Sequence, residues 1–554
     1  MTQKSAILIV TVFIVLMTIT FYHVAPANAI IWIGGNITSD TTWTPVDTYR
    51  MINNTYVDSG VTLTILPGVN VQIADGFSLI VQGSLNATGT DANPIVFTSS
   101  RANPSAGAWN TIDFNGASNC SFTLDHATIE FAVNGITIES QGYATIARSE
   151  LFNCSRSGIM INGISNVAIE ENTIRYNQNG IATDSHDHAG IVIGGNIISS
   201  NTQNGIYLYA LEYSIYNVTF SSNTVSSNAQ NGIYIYASTS NGVWGYSGIY
   251  NVTFSSNTVS SNAQNGIYLN GYVPGAGGWG YMRYIYNVTF SSNTVSSNAQ
   301  NGIYVHGGPL SPPDVTASNN RIAGNQIGMY FWNSQSNITE NSVLYSQCGV
   351  LYQSTTRNLA TRNDIYSNTY GMNVTQGATV NAEYNYWGDS TGPYQLSVNP
   401  EGKGNPVNGN GVDLDFIPFL TSPQGQIRQR PVAALSANEI TLGINETVTY
   451  SAIYSTSDGR IDSYFFDFGD GTNSSWTTLP EVLHQYGSAG TYYANLTVMD
   501  DYGVTSNNTA IQAITVSTQI PEFPSFLILP SFMIAALLVI LVDKRKHTSK
   551  VNGR

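Results

Sequence analysis

The sequence predicts an all-β protein, a parallel β-helix followed by a β-sandwich, and three observations lead there. Residues 215–234 read IYNVTFSSNTVSSNAQNGIY, and the same twenty letters return at 249–268 and at 285–304. Around these copies, an Asn two positions before an aliphatic or aromatic residue recurs at Asn172, Asn196, Asn223, Asn257, Asn293, Asn320, Asn341, Asn363 and Asn385. Beyond residue 430 the composition changes to short alternating strands such as Thr447-Val448-Thr449-Tyr450.

The Asn markers set the coil. Their intervals, by subtraction, are 24, 27, 34, 36, 27, 21, 22 and 22, so the basal period is about 22 and the middle units are enlarged. Inside a unit, apolar residues alternate with period two, as in Val218-x-Phe220, break at the Asn, and resume at Val225 and at Ile233-x-Ile235. Strands of three or four residues with no helical stretch fit one coil of a β-helix, and no Leu-x-x-Leu frame is present to support a leucine-rich repeat. Val218, Phe220, Val225, Ile233 and Ile235 are then expected inside. Asn223, Asn257 and Asn293 should stack at a turn and bond along the axis. Gly232, Gly266 and Gly302 are expected to supply the backbone angles of a sharp corner. Less regular units run from Tyr56 to Phe152, room for four or five more coils, and Trp32 to Val57 is expected to cap the open end.

The opening GVTLTILPGV, the N-x-I…N-G-I-x-L units and the closing NAEYNYWGDSTGP at 381–393 resemble right-handed parallel β-helix surface proteins of the NosD-like and carbohydrate-binding/sugar-hydrolase repeat group. The resemblance covers about Gly60 to Leu420. It implies a fold shared by polysaccharide lyases, hydrolases, copper-maturation proteins and non-catalytic surface proteins. Further on, YFFDFGDGT and HQYGSAGTYYANLTVMDDYG resemble the polycystic-kidney-disease (PKD) domain, an Ig-like sandwich used as a spacer or adhesion module. Asp467, Gly469, Asp470 and Gly471 fill its D-x-G-D-G turn, and His484, Tyr486, Gly490 and Tyr492 match its later positions.

The ends address the chain. Lys4, an apolar run from Ala6 to Phe21 and the small-x-small Ala27-Asn28-Ala29 form a secretory signal pattern. Phe526 to Val542 is almost wholly apolar and is followed by Asp543-Lys544-Arg545-Lys546-His547, which places the basic tail inside the cell. Pro521, Glu522 and Phe523 ahead of that segment resemble the archaeal PEF-type sorting signal, which implies cleavage and transfer to a lipid; a retained transmembrane helix is the alternative. The expected organisation is therefore 1–29 signal peptide, 30–57 cap, 58–425 right-handed β-helix, 431–517 PKD-like sandwich, 518–525 sorting motif, 526–542 transmembrane helix and 543–554 cytoplasmic tail. Cell-surface location with the bulk of the chain outside follows.

Composition narrows function. Only 10% of residues are charged and the formal net charge is −15, so a phosphate backbone is repelled and nucleic acid is excluded as a partner. Cys120, Cys154 and Cys348 are too few for a disulfide framework, and spacing does not say whether any two pair. Sequons are frequent, and those of the exact repeat, Asn217, Asn251 and Asn287, would present a row of glycans.

Two regions carry chemistry. The enlarged intervals put aromatics between the Gly-Ile-Tyr strand and the next Asn-Val-Thr strand, so Tyr213, Trp244, Tyr246, Trp279 and Tyr281 form a wall suited to stacking on sugar rings. One coil earlier stand Asp184, His186, Asp187 and His188, with Glu212 in the next, the one dense titratable cluster of the predicted helix. Such a group could supply acid and base to a glycoside hydrolase or polysaccharide lyase. No cofactor is expected, and Ca2+ is the ion the cluster would take. Outward Tyr207, Tyr234, Tyr268 and Tyr304 are expected to stack and stiffen the sheet. The leading reading is a membrane-anchored, glycosylated surface protein for adhesion, carbohydrate binding or envelope structure, with membrane lipid, surface glycans and envelope proteins as partners. The alternative is an extracellular polysaccharide lyase or glycoside hydrolase.

Overall fold

The computed structural model describes residues 29–518 except 140–141, 164–165, 185, 212, 239–247, 272–284, 308–313, 410–411, 425–429, 458–459, 501–503, 507 and 509. Two compact units divide near residue 427.

The first unit is a parallel β-helix. Each coil of the exact repeat contributes a long strand (Ile215–Ser221), a three-residue strand (Thr224–Ser226) and a third (Ile233–Ser238), longer in places than the three or four residues expected. Each pairs in parallel with its equivalent one coil on, Ile215 with Ile249 and Ile249 with Ile285. Sixteen strands make one sheet and twenty-seven the other two faces, which are joined at the first coils. Alternation has its predicted consequence: Val218, Phe220, Val225, Ile233 and Ile235 are wholly buried. Phe220, Phe254 and Phe290 stack inside at 4.7 Å per step.

The Asn markers form one continuous amide row. From Asn172 to Asn385 each side-chain Nδ2 donates to the Oδ1 of the next marker at 2.9–3.0 Å. Each Oδ1 also receives the backbone N–H of the preceding marker, as Asn257 does from Asn223 at 3.0 Å. A buried amide left unpaired costs about 1–3 kcal/mol per group, so like-on-like stacking is what makes buried asparagine affordable in every coil. A second row joins Asn201, Asn228, Asn262, Asn298 and Asn325. A third runs the opposite way, from Asn301 through Asn265 and Asn231 to Asn204.

Two expectations need correction. The repeat glycines do not serve a left-handed corner: a Cβ on Gly232 would lie 2.6 Å from Val259 Cγ1 and 2.7 Å from the Gly266 carbonyl, so glycine is required by the closeness of the next coil. The left-handed corners fall instead on Ser222, Ser256 and Ser292, at φ 56–57°. Secondly, residues 30–57 are not a separate cap. Ile30–Ile37 and Thr48–Val57 pair in parallel as the first coils, closed by Trp43 stacked on Tyr49 at 4.8 Å. All three cysteines are free, so the question that spacing left open is answered without a bridge.

The second unit is a sandwich of a three-stranded and a five-stranded sheet around Val448, Tyr450, Phe466, Leu496, Val498 and Ile514. Its D-x-G-D-G turn is held by Asp467 Oδ1 accepting from Gly469 N–H and Asp470 Oδ1 from Thr472 N–H. Asp470 also meets His484 at 2.8 Å. Among the described residues no helix is long and apolar enough to cross a membrane, and the expected span 526–542 lies outside them.

Candidate functional site

The strand Asn179–Thr183 runs into the predicted cluster, where the described side chains bond within the turn and to the neighbouring coils. Asp184 Oδ2 sits 2.7 Å from His186 Nδ1. Asp187 Oδ1 accepts the Ser214 N–H at 2.7 Å, tying this coil to the next. His188 is wholly buried, with Nε2 2.8 Å from the Asp184 carbonyl and Nδ1 3.2 Å from that of Gly163. Burial holds this imidazole below its ordinary pKa. A neutral ring has one N–H and can donate to only one of those carbonyls, so His188 acts as a wedge that orders the turn. No group of three or more His, Cys, Asp or Glu among the described residues is arranged to hold a metal ion. Glu212 lies outside the described residues, as do Trp244, Tyr246, Trp279 and Tyr281 of the aromatic wall and Pro521, Glu522 and Phe523. Tyr213 is exposed and stacks on His186 at 5.7 Å.

The outward tyrosines are brought together, in a longer row than expected. Tyr207, Tyr234, Tyr268, Tyr304 and Tyr330 stand in register on successive coils, with the last three steps at 4.5–4.8 Å and within 6° of parallel. Beside them lie Tyr209, Tyr236, Asn270, His306 and Trp332, with His306 on Trp332 at 4.1 Å. Rings stacked along the axis cover one another's faces, so this side of the helix offers edges and hydroxyls. Burial lowers the His306 pKa to about 4, and this member of the row is therefore neutral. The same two columns continue toward the N-terminus through Asp113 and Glu139. Burial first, and Glu139 second, raise the Asp113 carboxyl to about 6.

The sequon asparagines are exposed, and each takes a left-handed backbone, φ 51–54°, within its strand. Asn251 Nδ2 donates to Asn217 Oδ1 at 3.0 Å and Asn287 Nδ2 to Asn251 Oδ1 at 2.8 Å, an outer amide row echoing the buried ones.

Sequence reading missed a second titratable cluster. His126 lies 2.8 Å from Asp125 and 3.3 Å from Asp91, and Arg148 pairs with Asp125 and reaches Glu171 at 3.7 Å. Asp91, His126, Arg148 and Glu171 line a surface cleft of about 270 Å³ together with Glu150 and threonines 90, 128 and 173. His126, Arg148 and Glu171 occupy the left-handed corner that serine fills in the exact repeats. The signal was present: each precedes the marker position, and stepping back one coil at a time from Asn172 leads to Ser149 and Ala127.

Strand order, stacked amides and a trailing sandwich define a β-solenoid carrying a second small β-domain. The family described as right handed beta helix region matches residues 110–276 and 242–410, more than half of the chain, and the chain belongs to it. A pectate-lyase like beta helix domain matches 35–136 and a PKD domain matches 428–516. A microbial collagenase of Vibrio alginolyticus is 39% identical over 88 residues, 16% of this chain, which spans about a tenth (10%) of that relative's length. Among solved structures, the mannuronan C-5 epimerase AlgE6 A-module of Azotobacter vinelandii is 12% identical, covering 72% of this chain and 92% of that one, with a TM-score of 0.35. The periplasmic alginate epimerase AlgG is 13% identical over 59% of this chain and 81% of its own, TM-score 0.34. The PKD1 domain of Vibrio anguillarum Epp is 32% identical over 17% of this chain and all of its own, TM-score 0.14.

Proposed function

We propose that this chain is an exported cell-surface protein whose β-helix is a rigid rod that contacts surface glycans or envelope proteins. The PKD sandwich serves as its spacer, and the C-terminal segment tethers it to membrane lipid, either as a retained helix or after PEF-type processing. One observation carries this reading. Five coils turn a continuous row of aromatic edges outward on the side where the variable loops leave, while the titratable groups of the Asp184 cluster serve the scaffold. Ring edges and phenol hydroxyls offer apolar contact and hydrogen bonds together, the mixture a glycan requires. The NosD-like grouping and metal delivery have no supporting geometry in the row. The acidic balance argues against nucleic acid, and the function needs neither a cofactor nor Ca2+.

The test is retention of the purified chain on a panel of immobilised polysaccharides. Wild type should be retained by at least one, and Tyr304→Ala with Trp332→Ala should lower retention about tenfold, equivalent to about 1.4 kcal/mol. Unchanged retention in the double variant would remove the row from the reading.

A second reading, a polysaccharide lyase or glycoside hydrolase, is favoured by the carboxyl pair Asp113 and Glu139 at the far end of the same columns. Acid–base cleavage of a glycosidic bond uses two carboxyls, one of them with a raised pKa, and Asp113 at about 6 with Glu139 as its neighbour offers that pairing. Digestion of that panel, abolished by Asp113→Asn, would promote this reading over the first.

A further inference from the structure

The exact repeat builds a further aromatic column that neither reading uses. Tyr216, Tyr250 and Tyr286 face outward at the start of their strands, in direct register. Their ring centroids are 4.9 and 4.8 Å apart and their planes within 7° and 3°. All three are half-buried, open on one side, and held together by strands that cannot slide without breaking the amide rows. Register and near-parallel planes keep each ring beside the next, one coil away.

We propose that this column is a site of intramolecular tyrosine coupling, in which a peroxidase consuming hydrogen peroxide staples neighbouring coils through dityrosine. The oxidant takes one electron and the phenolic proton from each of two rings. The two radicals join through one carbon–carbon bond beside the hydroxyls, and each ring then moves its displaced hydrogen back to oxygen. Two tyrosines and one hydrogen peroxide thus give one dityrosine and two waters. Burial raises the pKa of Tyr250, so the group oxidised is the neutral phenol. The staple would do for this rod what disulfides do for others, since its three cysteines are free. The exported location proposed above enters only as the source of peroxide.

The experiment treats the full purified chain with a peroxidase and hydrogen peroxide, digests it with trypsin and weighs the fragments. Cleavage after Arg175, Arg283 and Arg321 places Tyr250 in fragment 176–283 and Tyr286 in 284–321. The expected product is these two fragments joined, lighter by two hydrogens, in a chain that still runs as a monomer. Tyr268 and Tyr304 could join the same fragments, so the deciding variants are Tyr250→Phe and Tyr268→Phe, both of which keep the stack. Loss of the joined fragment in Tyr250→Phe and its retention in Tyr268→Phe supports the assignment. The proposal is overturned if the joined fragment survives Tyr250→Phe, if only links between chains form, or if links gather at the more exposed Tyr143, Tyr454 and Tyr493. A chain that emerges uncoupled overturns it equally, and none of these results bears on glycan binding.

Discussion

In the coils built from residues 215–304 a buried asparagine meets its own counterpart at each step. In the coils before Asn172 the equivalent places hold Ser149 and Ala127. There Ser149 Oγ accepts from Ala127 N–H at 3.0 Å, and Asn172 Oδ1 from Ser149 N–H at 3.0 Å. Outside, the repeats expose Ser222, Ser256 and Ser292 at the corner, whereas the earlier coils hold a half-buried His126 against Asp125 and an exposed Arg148 and Glu171 in ion pairs. Inside, the repeats stack Phe on Phe, while the earlier coils fill space with a buried Trp109 whose Nε1–H needs the Glu130 carbonyl. A coil that copies its neighbour inherits partners for every polar group, and one that departs must find a private partner for each. This is why the middle of the chain tolerates duplication and the N-terminal coils are individually written.

Four measurements can break or sharpen that contrast. Asn257→Ala should have the largest effect, since it leaves the Asn223 N–H without its acceptor and takes one bond each from Asn223 Nδ2, the Phe220 carbonyl and Asn293 Oδ1. A loss of about 4 kcal/mol in urea unfolding is expected, against almost none for Asn251→Ala in the exposed row. Equal costs for the two would show that the buried row is not what holds the coils. Gly266→Ala comes next, at about 3 kcal/mol, because its Cβ would press on Val295 Cγ1 at 2.6 Å and on the Gly302 carbonyl at 2.7 Å. Corner strain is not involved there, so Ser256→Gly, which relieves a real left-handed residue, should instead be neutral or slightly stabilising.

The third measurement is on the earlier coils. Asp113 has its carboxyl raised from 3.8 to about 6, so the folded chain keeps a proton that the unfolded chain has already lost. Its stabilising contribution is complete below 3.8 and disappears as pH rises through about 6. After discounting for partial exposure this amounts to about 1–2 kcal/mol. A pH series of unfolding midpoints should show that slope, and Asp113→Asn should flatten it. Smallest of all is Arg148→Ala, about 0.5 kcal/mol or less and fading in high salt, because the arginine side chain is itself open to solvent. A larger, salt-independent loss would mean the corner cluster is a packed part of the core.

Much of the fold could be read from particular residues. Asn172 to Asn385 marked the coils, and the alternation around Phe220 and Val225 marked their inner face, because stacking repeats the same local demand at a fixed interval. The segment 30–57 escaped because a first coil has a neighbour on one side only and so carries a weaker pattern, with Ile30, Ile31 and Trp32 left exposed. The candidate site was less legible. His188 reads as a ligand from its spacing to His186, yet its burial between two carbonyls depends on Gly163 in the coil before. Asp91, Asp125, His126, Arg148 and Glu171 are scattered over four coils and meet only once register is known.

By itself the sequence determined the period, the inward residues, the rows of like side chains and the change to a sandwich, since each follows from local alternation or from identity between repeats. Tertiary structure alone decided why Gly232 must be glycine, that the tyrosine rows hide their faces, and that the Asp184 turn is tied to the coil before it and the coil after it. Those properties are distances between coils, and a distance across an interval of 22 to 36 residues is set by how the strands pair, not by any stretch of chain read alone.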